Sequence, residues 1–489
     1  MGILSWSLVF SYLLLFSLLT SLIRPTLAVD LTSRSSNSSS NSSSTQGWTS
    51  SPNGRGSFDI IWSCVSTIFL CSWTVLCVQV PALDEDEWVL FRRKFYLTCL
   101  GIAGPEFTLM LAIGQWMSAR RSLKEFQLSG YKDWTINHAF FADMGGFVLH
   151  PRDWTPFPID AKQLHYLVVK GYLPYPAINK RVIADRNKTD GLVRFITVGQ
   201  TLWFMADCIA RSVQHLAITT LELTTIAFIF CTLGTSFCWA HKPADVDRAI
   251  ILETNCSIAD ILREAGDCAR EPYRNTPLDF VSRKEWSWSL YWSHWINLLR
   301  RLKIVFRPKV RPINRFPNDA FPELADWALV VFSVFSIGYG AIFLGGWNFS
   351  FPTNTERLLW RVASTMSLGA IIGCWIVDTA LFQVIPAMRA WHSKSKKPQG
   401  PEAGLRLRWF SAKCIPPKVK AIAAKIRNNS PDQDPALTVP LKALLPVTLT
   451  GFLYLLARAY IIVEDFAGLR VLPPSAFDTV DWTKILPHI

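Results

Sequence analysis

Three ionisable residues stand inside long apolar runs of this 489-residue chain: Glu106, Asp378 and Arg458. A charge taken from water into hydrocarbon is costly, so it is kept where it pairs, moves an ion or proton, or meets a ligand. Opposite signs suggest an internal network in which Arg458 pairs with Asp378 or Glu106. Such a network serves a transport or ligand path, or is a salt bridge that fixes helix order. Glu106 follows Pro105, whose missing N–H leaves a carbonyl unbonded and can bend the helix.

A second constellation lies in "WTINHAFFADMGGF", Trp134 to Phe147. If the stretch is helical, with Thr135 or Asn137 as cap and Gly145 or Gly146 at the stop, His138 and Asp143 project about 140° apart. They cannot then share a ligand, and each is expected to make its own hydrogen bond to the surrounding loop. The remaining histidines are scattered singly and no C-x-x-C pair occurs. The chain also lacks H-E-x-x-H, G-x-S-x-G, Walker and dinucleotide patterns, so no metal, cofactor or catalytic residue is assigned. An enzyme acting on a lipid or lipid-linked substrate, with His138 or His215 as base, stays as the alternative to transport; a non-catalytic scaffold is the third reading.

The elements that position these residues are read from hydropathy. Half of the residues are apolar and 13% aromatic, the mean hydropathy is +0.22, and the apolar residues gather in long runs, the pattern of an all-α polytopic membrane protein. Six runs are long enough to span: Phe58 to Val80, Phe95 to Met117, Ala217 to Ala240, Trp327 to Gly346, Leu358 to Ala387 and Ala443 to Val463. Trp116, Trp239, Trp327, Trp347 and Trp360 lie near their ends, as interfacial residues should. Gly369 and Gly373, with Ala341 and Gly345, permit close helix contact.

Residues 1–28 read as a signal peptide ending in Thr26-Leu27-Ala28, with a retained anchor as the alternative because its start holds no Lys or Arg. Residues 29–57 form a Ser/Asn-rich tail too polar to pack, with glycosylation sequons at Asn37 and Asn41. A lumenal tail makes the loop at 118–216 lumenal, with a further sequon at Asn187, and the loop at 241–326 and linker at 388–442 cytoplasmic. The segment 464–489 is lumenal again. Cytoplasmic loops then hold 3, 14 and 12 Lys plus Arg against 13, 1 and 2, the direction of the positive-inside rule. One conflict stands: Arg92, Arg93 and Lys94 precede the second span while Arg120 and Arg121 follow it.

Within the second loop, Asp160 caps a helix "AKQLHYLVVK" that Gly171 ends. Beyond it, Phe195, Val198, Leu202, Met205, Ile209, Val213 and Leu216 form one stripe on a helix from about Asp190, read as facing a core or lying on the membrane surface, with Asp207 and Arg211 one turn apart. Glu222 is placed among headgroups. In the third loop Trp288, Trp292 and Trp295 share a helix face ahead of the basic run Arg300 to Arg315. Together with the net charge of +13, this suits the bilayer and its anionic lipid; no nucleic-acid motif accompanies the charge.

Several phrases occur together: "FDIIWSC", "GPE", "HAFFADMGGF", "QLHYLVVKGYL", "QTLWFMADCIAR", "LELTTIAF", "WAHKPADV", "ERLLWRVAS" and the closing "YIIVEDFAGLRVLPPSAFDTVDWTKILPHI". As a set they resemble a large group of fungal multi-spanning membrane proteins of unassigned activity. The resemblance implies the architecture and an ordered carboxyl end, and supplies no catalytic residue. Transport, channel or sensing activity through intramembrane charges is the expectation.

Overall fold

The computed structural model describes residues 45–50, 54–186, 191–282, 287–302, 311–324, 326–384, 388, 417–430 and 438–484. The signal segment, most of the Ser/Asn tail with Asn37 and Asn41, and Asn187 lie outside them. Contacts divide the chain into two compact units. The first takes residues 1–284, 309–366 and 456–489, the second 285–308 and 367–455.

The fold is mostly helical. In the first unit, strand β1 (Thr45–Gln46) leads to helix α1 (Ser57–Trp73), then α2 (Glu87–Ala103), α3 (Pro105–Leu128) and α4 (Ile136–Asp143). Strands β2 (Phe147–His150) and β3 (Phe157–Ile159) precede α5 (Ala161–Val169), α6 (Lys180–Asp185), α7 (Gly191–Val213) and α8 (Thr220–Cys238). Strand β4 (Ile250–Glu253) and α9 (Ile258–Ala265) follow. Helix α10 (Ser287–Arg301) belongs to the second unit, and α11 (Asp326–Ile342) to the first. Helices α12 (Asn354–Asp378) and α14 (Leu441–Ala467) each run from one unit into the other, α13 (Pro417–Arg427) lies in the second, and β5 (Val471–Leu472) closes the first.

Helix α8 is apolar on almost every side and packs against α1, α3, α7 and α11, which is why it is the most buried of the long apolar helices. Its Gly234 admits Leu109 of α3, which would lie 2.9 Å from an added Cβ. Helix α1 buries Ile60, Cys64, Thr67 and Cys71, a three-and-four spacing, and turns Phe58, Trp62 and Phe69 outward. By length and composition, the stretches Leu192–Val213, Thr220–Cys238, Trp327–Asn348, Asn354–Asp378 and Leu441–Arg470 are able to cross a membrane.

The second expected span, Phe95 to Met117, is not one helix. α2 and α3 meet at 115°, because Pro105 has no N–H to continue the ladder and occupies the first turn of a new helix. An added Cβ on Gly104 would fall 2.7 Å from the ring of Phe107.

The all-helical expectation is corrected by a three-stranded sheet in the order β3-β2-β4. β2 pairs antiparallel with β3 and parallel with β4, in the register Phe147 to Ile250. Strands of three and four residues leave too little alternation to be told from loop. β2 comes from the loop expected to be lumenal and β4 from the one expected to be cytoplasmic, and the two are hydrogen-bonded neighbours. Asp153 reinforces the join by accepting from the N–H of Ile258 at 2.8 Å and the Ser257 hydroxyl at 2.6 Å.

The helix at "AKQLHYLVVK" forms as expected. Asp160 accepts from the Gln163 N–H at 2.8 Å, and Gly171 follows the helix with φ +78°. Most of the stripe on α7 faces outward, as the membrane-surface alternative expects: Phe195, Val198, Leu202, Ile209 and Val213 are exposed, Met205 is buried, and Thr197, Thr201, Cys208, Arg211 and Ser212 face the unit. The interfacial role expected of two tryptophans also fails: Trp239 and Trp360 are buried, their N–H groups bonded to Gln115 and to the Phe343 carbonyl.

The closing segment is tied down as far as Lys484. The guanidinium of Arg211 donates to the carbonyls of Asp478 at 2.8 Å, Ala476 at 3.0 Å, Ser475 at 3.1 Å and Ala217 at 3.0 Å. Trp203 stacks on Trp482, and β1 pairs with β5. Glu222 leaves the headgroup role expected of it: it is fully buried, paired with Arg55, 3.9 Å from Arg211, and bonded to the N–H and hydroxyl of Thr219.

In the second unit Tyr291, Val439, Ala443, Leu444 and Val447 form the core. Thr450 of α14 lies 3.4 Å from an added Cβ on Gly373, while Gly369 has nothing within 4 Å, so of the two glycines expected to admit a helix only Gly373 does so, and its neighbour is Thr450.

Candidate functional site

Arg458 is 1% exposed in the middle of α14, and three aromatic rings surround its guanidinium. The carbon lies 4.9 Å from the ring centre of Phe343, 5.6 Å from Tyr339 and 6.0 Å from Phe228, within cation–π range of each. Its Nε donates to the carbonyl of Ala103 at 3.4 Å, the last residue before the α2–α3 break. The break thus supplies an acceptor that a continuous helix would have used itself.

Glu106, 4% exposed, stands in the first turn of α3, where the N-terminal partial charge favours a carboxylate. Both Glu106 and Arg458 act electrostatically on Cys231 of α8, so two of the three sequence-picked charges are brought to one neighbourhood. Asp378 belongs to the second unit, where it acts on Tyr291 and Cys374.

Two further acids lie on α14 beyond Arg458. Asp465, seven residues on and therefore on the same face of α14, is 1% exposed, beside Arg458 and Thr220 and Thr224 of α8. Glu464 accepts from the Tyr460 hydroxyl at 3.1 Å, and that oxygen also lies 3.2 Å from the Glu356 carbonyl. Glu356 in turn pairs with Arg470. Both acids lie beyond the expected end of the last span at Val463, whereas the helix runs on to Ala467; for Asp465 the seven-residue offset from Arg458 is the signal that could have found it.

A small cavity lies at each end of this polar seam. One, of about 10 Å³, is lined by Cys71, Pro105, Thr108, Phe228 and Thr232. The other, also about 10 Å³, is lined by Thr219, Thr220, Phe349, Gly468 and Pro473. Each has room for roughly one water molecule, and they share Phe228 and Thr220 with the surroundings of Arg458 and Asp465.

His138 and Asp143 part company as their spacing demands. Thr135 caps α4, its N–H and hydroxyl lying 3.2 and 2.7 Å from His138 Nδ1. His138 Nε2 donates to the Ile178 carbonyl at 2.8 Å. The ring therefore carries its proton on Nε2, with Nδ1 accepting, and both nitrogens are engaged in holding the loop. His215 is exposed in the turn after α7, at φ +57°. Among the described residues, no group of three His, Cys, Asp or Glu could hold a metal ion.

Asp143 accepts from the Ala161 N–H at 3.1 Å. Burial of its carboxylate, then the charge of Asp160, pushes its pKa from 3.8 up to about 7. Nearby, burial pushes Lys242 down to about 8; its ammonium donates to Gln115 at 2.7 Å and to the Cys77 carbonyl at 2.9 Å. Because the folded protein holds the Asp143 proton more tightly than the unfolded chain does, the stability this contributes is fully present below about pH 4. It is lost as pH rises through about 7. Asp143→Asn is therefore expected to flatten the decline in melting temperature between pH 5 and 7.5, followed by intrinsic fluorescence; an unchanged slope would refute the assignment.

Residues 27–264 match the model of a family of unknown function, DUF8562. That stretch, a little under half the chain, holds the α2–α3 break, the sheet and α8, and stops short of Arg458 and Asp465. No curated protein and no solved structure matches the chain.

Proposed function

We propose that this is a polytopic membrane protein of the secretory route, one that transports or senses protons or small ions through the seam of Glu106, Arg458 and Asp465. The observation that carries the reading is the placement of these charges at a helix broken inside an apolar bundle. Interrupted helices whose ends face a buried charge are how transporters and channels hold ions at depth. The two water-sized cavities support a path that proton transfer could use, with Asp465 exchanging a proton between them and Arg458 setting its charge. The same helices fit a lipid bilayer as partner, and the basic loops fit anionic lipid.

The test uses full-length protein in vesicles loaded with a pH-sensitive dye. An imposed pH step should dissipate faster than in protein-free vesicles, and Asp465→Asn should slow that dissipation at least tenfold without moving the melting temperature by more than a few degrees. Sensing without flux would appear as a pH-dependent change in tryptophan emission, abolished by the same substitution. Absence of both responses in the unaltered protein sinks the proposal.

A further inference from the structure

We propose that α7 crosses the membrane with its exposed apolar face against lipid acyl chains, placing the sheet and both loops that build it on the cytoplasmic side and the β1–β5 pair on the other. The inference rests on the membrane reading above and follows from how the first unit is tied together. Helix α8 is the reference: Glu222 marks one end, Trp239 and Lys242 the other. α7 runs antiparallel along its whole length, since Arg211 reaches the Ala217 carbonyl at 3.0 Å before α8 begins. At the opposite end Arg194 donates to the Lys242 carbonyl at 3.3 Å and contacts the Cys77 sulfur at 3.2 Å. A layer that contains α8 therefore contains α7.

The surface of α7 agrees. Leu192, Phe195, Ile196, Leu202 and Val213 point away from the unit, and the 22-residue stretch spans about 33 Å at 1.5 Å per residue, close to a hydrocarbon core of about 30 Å. The small polar residues on its other face pack inward. This arrangement suits a lipid-facing helix and would be costly in water.

The sheet makes the crossing necessary. β2 and β4 are paired, so the chain between them must cross an even number of times. Among the described residues between them, α8 supplies one passage and α7 offers the other. The α2–α3 hairpin behaves the same way: Lys94 of α2 pairs with Asp245 at 2.8 Å and Gln115 of α3 accepts from Lys242, so both arms leave at the Lys242 end. Gly104 is the deep point of a re-entrant turn.

With this path the charge conflict disappears. Arg92, Arg93 and Lys94 share a face with Arg120 and Arg121. The described first-unit stretches on that face, 81–94, 118–186, 241–282 and 311–324, hold 3, 10, 5 and 2 Lys plus Arg, while 54–56, 214–219, 349–353 and 468–484 on the other hold 1, 0, 0 and 2. The asymmetry assigns the sheet side to the cytoplasm.

The experiment expresses the full chain and reads two labels. Asn187 and Asn255, the sequons flanking α7 and α8, should both stay unglycosylated, and Cys268, which is exposed, should react with a membrane-impermeant maleimide only after permeabilisation. Glycan on either asparagine, or labelling of Cys268 in sealed cells, overturns the proposal. Extraction of the protein by alkaline carbonate would instead overturn the membrane reading beneath it, so the two failures are separable.

Discussion

Glu222→Gln is expected to destabilise the folded protein by about 3–5 kcal/mol, the cost of stranding buried charge. The carboxylate is enclosed with Arg55 and Arg211, and the side chains of Glu222 and Arg211 are each 1% exposed. Removing its charge leaves two guanidinium groups facing each other with only the nearby carboxylate of Asp207 to offset them, and weakens the bonds that Thr219 makes to begin α8. Arg211 also holds the 475–478 segment, so the damage spreads to the carboxyl end. Thermal unfolding in detergent should show a midpoint several degrees lower, with fluorescence from Trp482 reporting loss of its stack on Trp203 at still lower temperature. A shift no larger than that of an exposed control such as Glu125→Gln would show the cluster to be dispensable.

Gly146→Ala should also be severe. The added Cβ would sit 2.5 Å from Phe141, whose ring is fully buried and packs edge-on against Phe147. Overpacking of this kind costs about 1–3 kcal/mol, and the upper end is expected because Gly146 also accepts the Ile250 N–H at 2.7 Å, the bond that starts the β2–β4 pairing. Hydrogen exchange should report faster opening at Val148 and Ile251. Gly145→Ala, at φ +80°, is expected to strain the turn while leaving the strand pairing in place; equal loss of β4 protection in both variants would contradict this account.

What the sequence disclosed was local. The Asp160 cap, the Thr135–His138 start of α4 and the stop at Gly145 follow from a few adjacent residues, and each is found where residue chemistry places it. The long apolar helices were legible for the same reason. The hidden features depend on distant partners. β2 and β4 stand about a hundred positions apart and carry no alternation long enough to announce a strand. The sequence leaves the orientation of α7 open because an apolar stripe has the same period whether it meets a core or lipid, and only the identity of its neighbours decides. Glu106 and Arg458 stood out as charges in apolar runs. Asp465 did not, because a carboxylate near a helix end resembles an ordinary boundary until the helix is seen to continue.

The pairing of β1 with β5 also bears on how the protein is made. Arg55 and Ala476, joined across this closure, are 421 positions apart. At about 5–20 residues per second, roughly 20 to 80 seconds of synthesis separate them. The amino-terminal strand must therefore wait for its partner until the last helix has been made, and the Arg55–Glu222 pair forms long before the segment that covers it. Final closure is a late event in biogenesis. Truncations that remove only the last strand should accumulate as a species whose helices are inserted but whose amino-terminal segment remains open to protease.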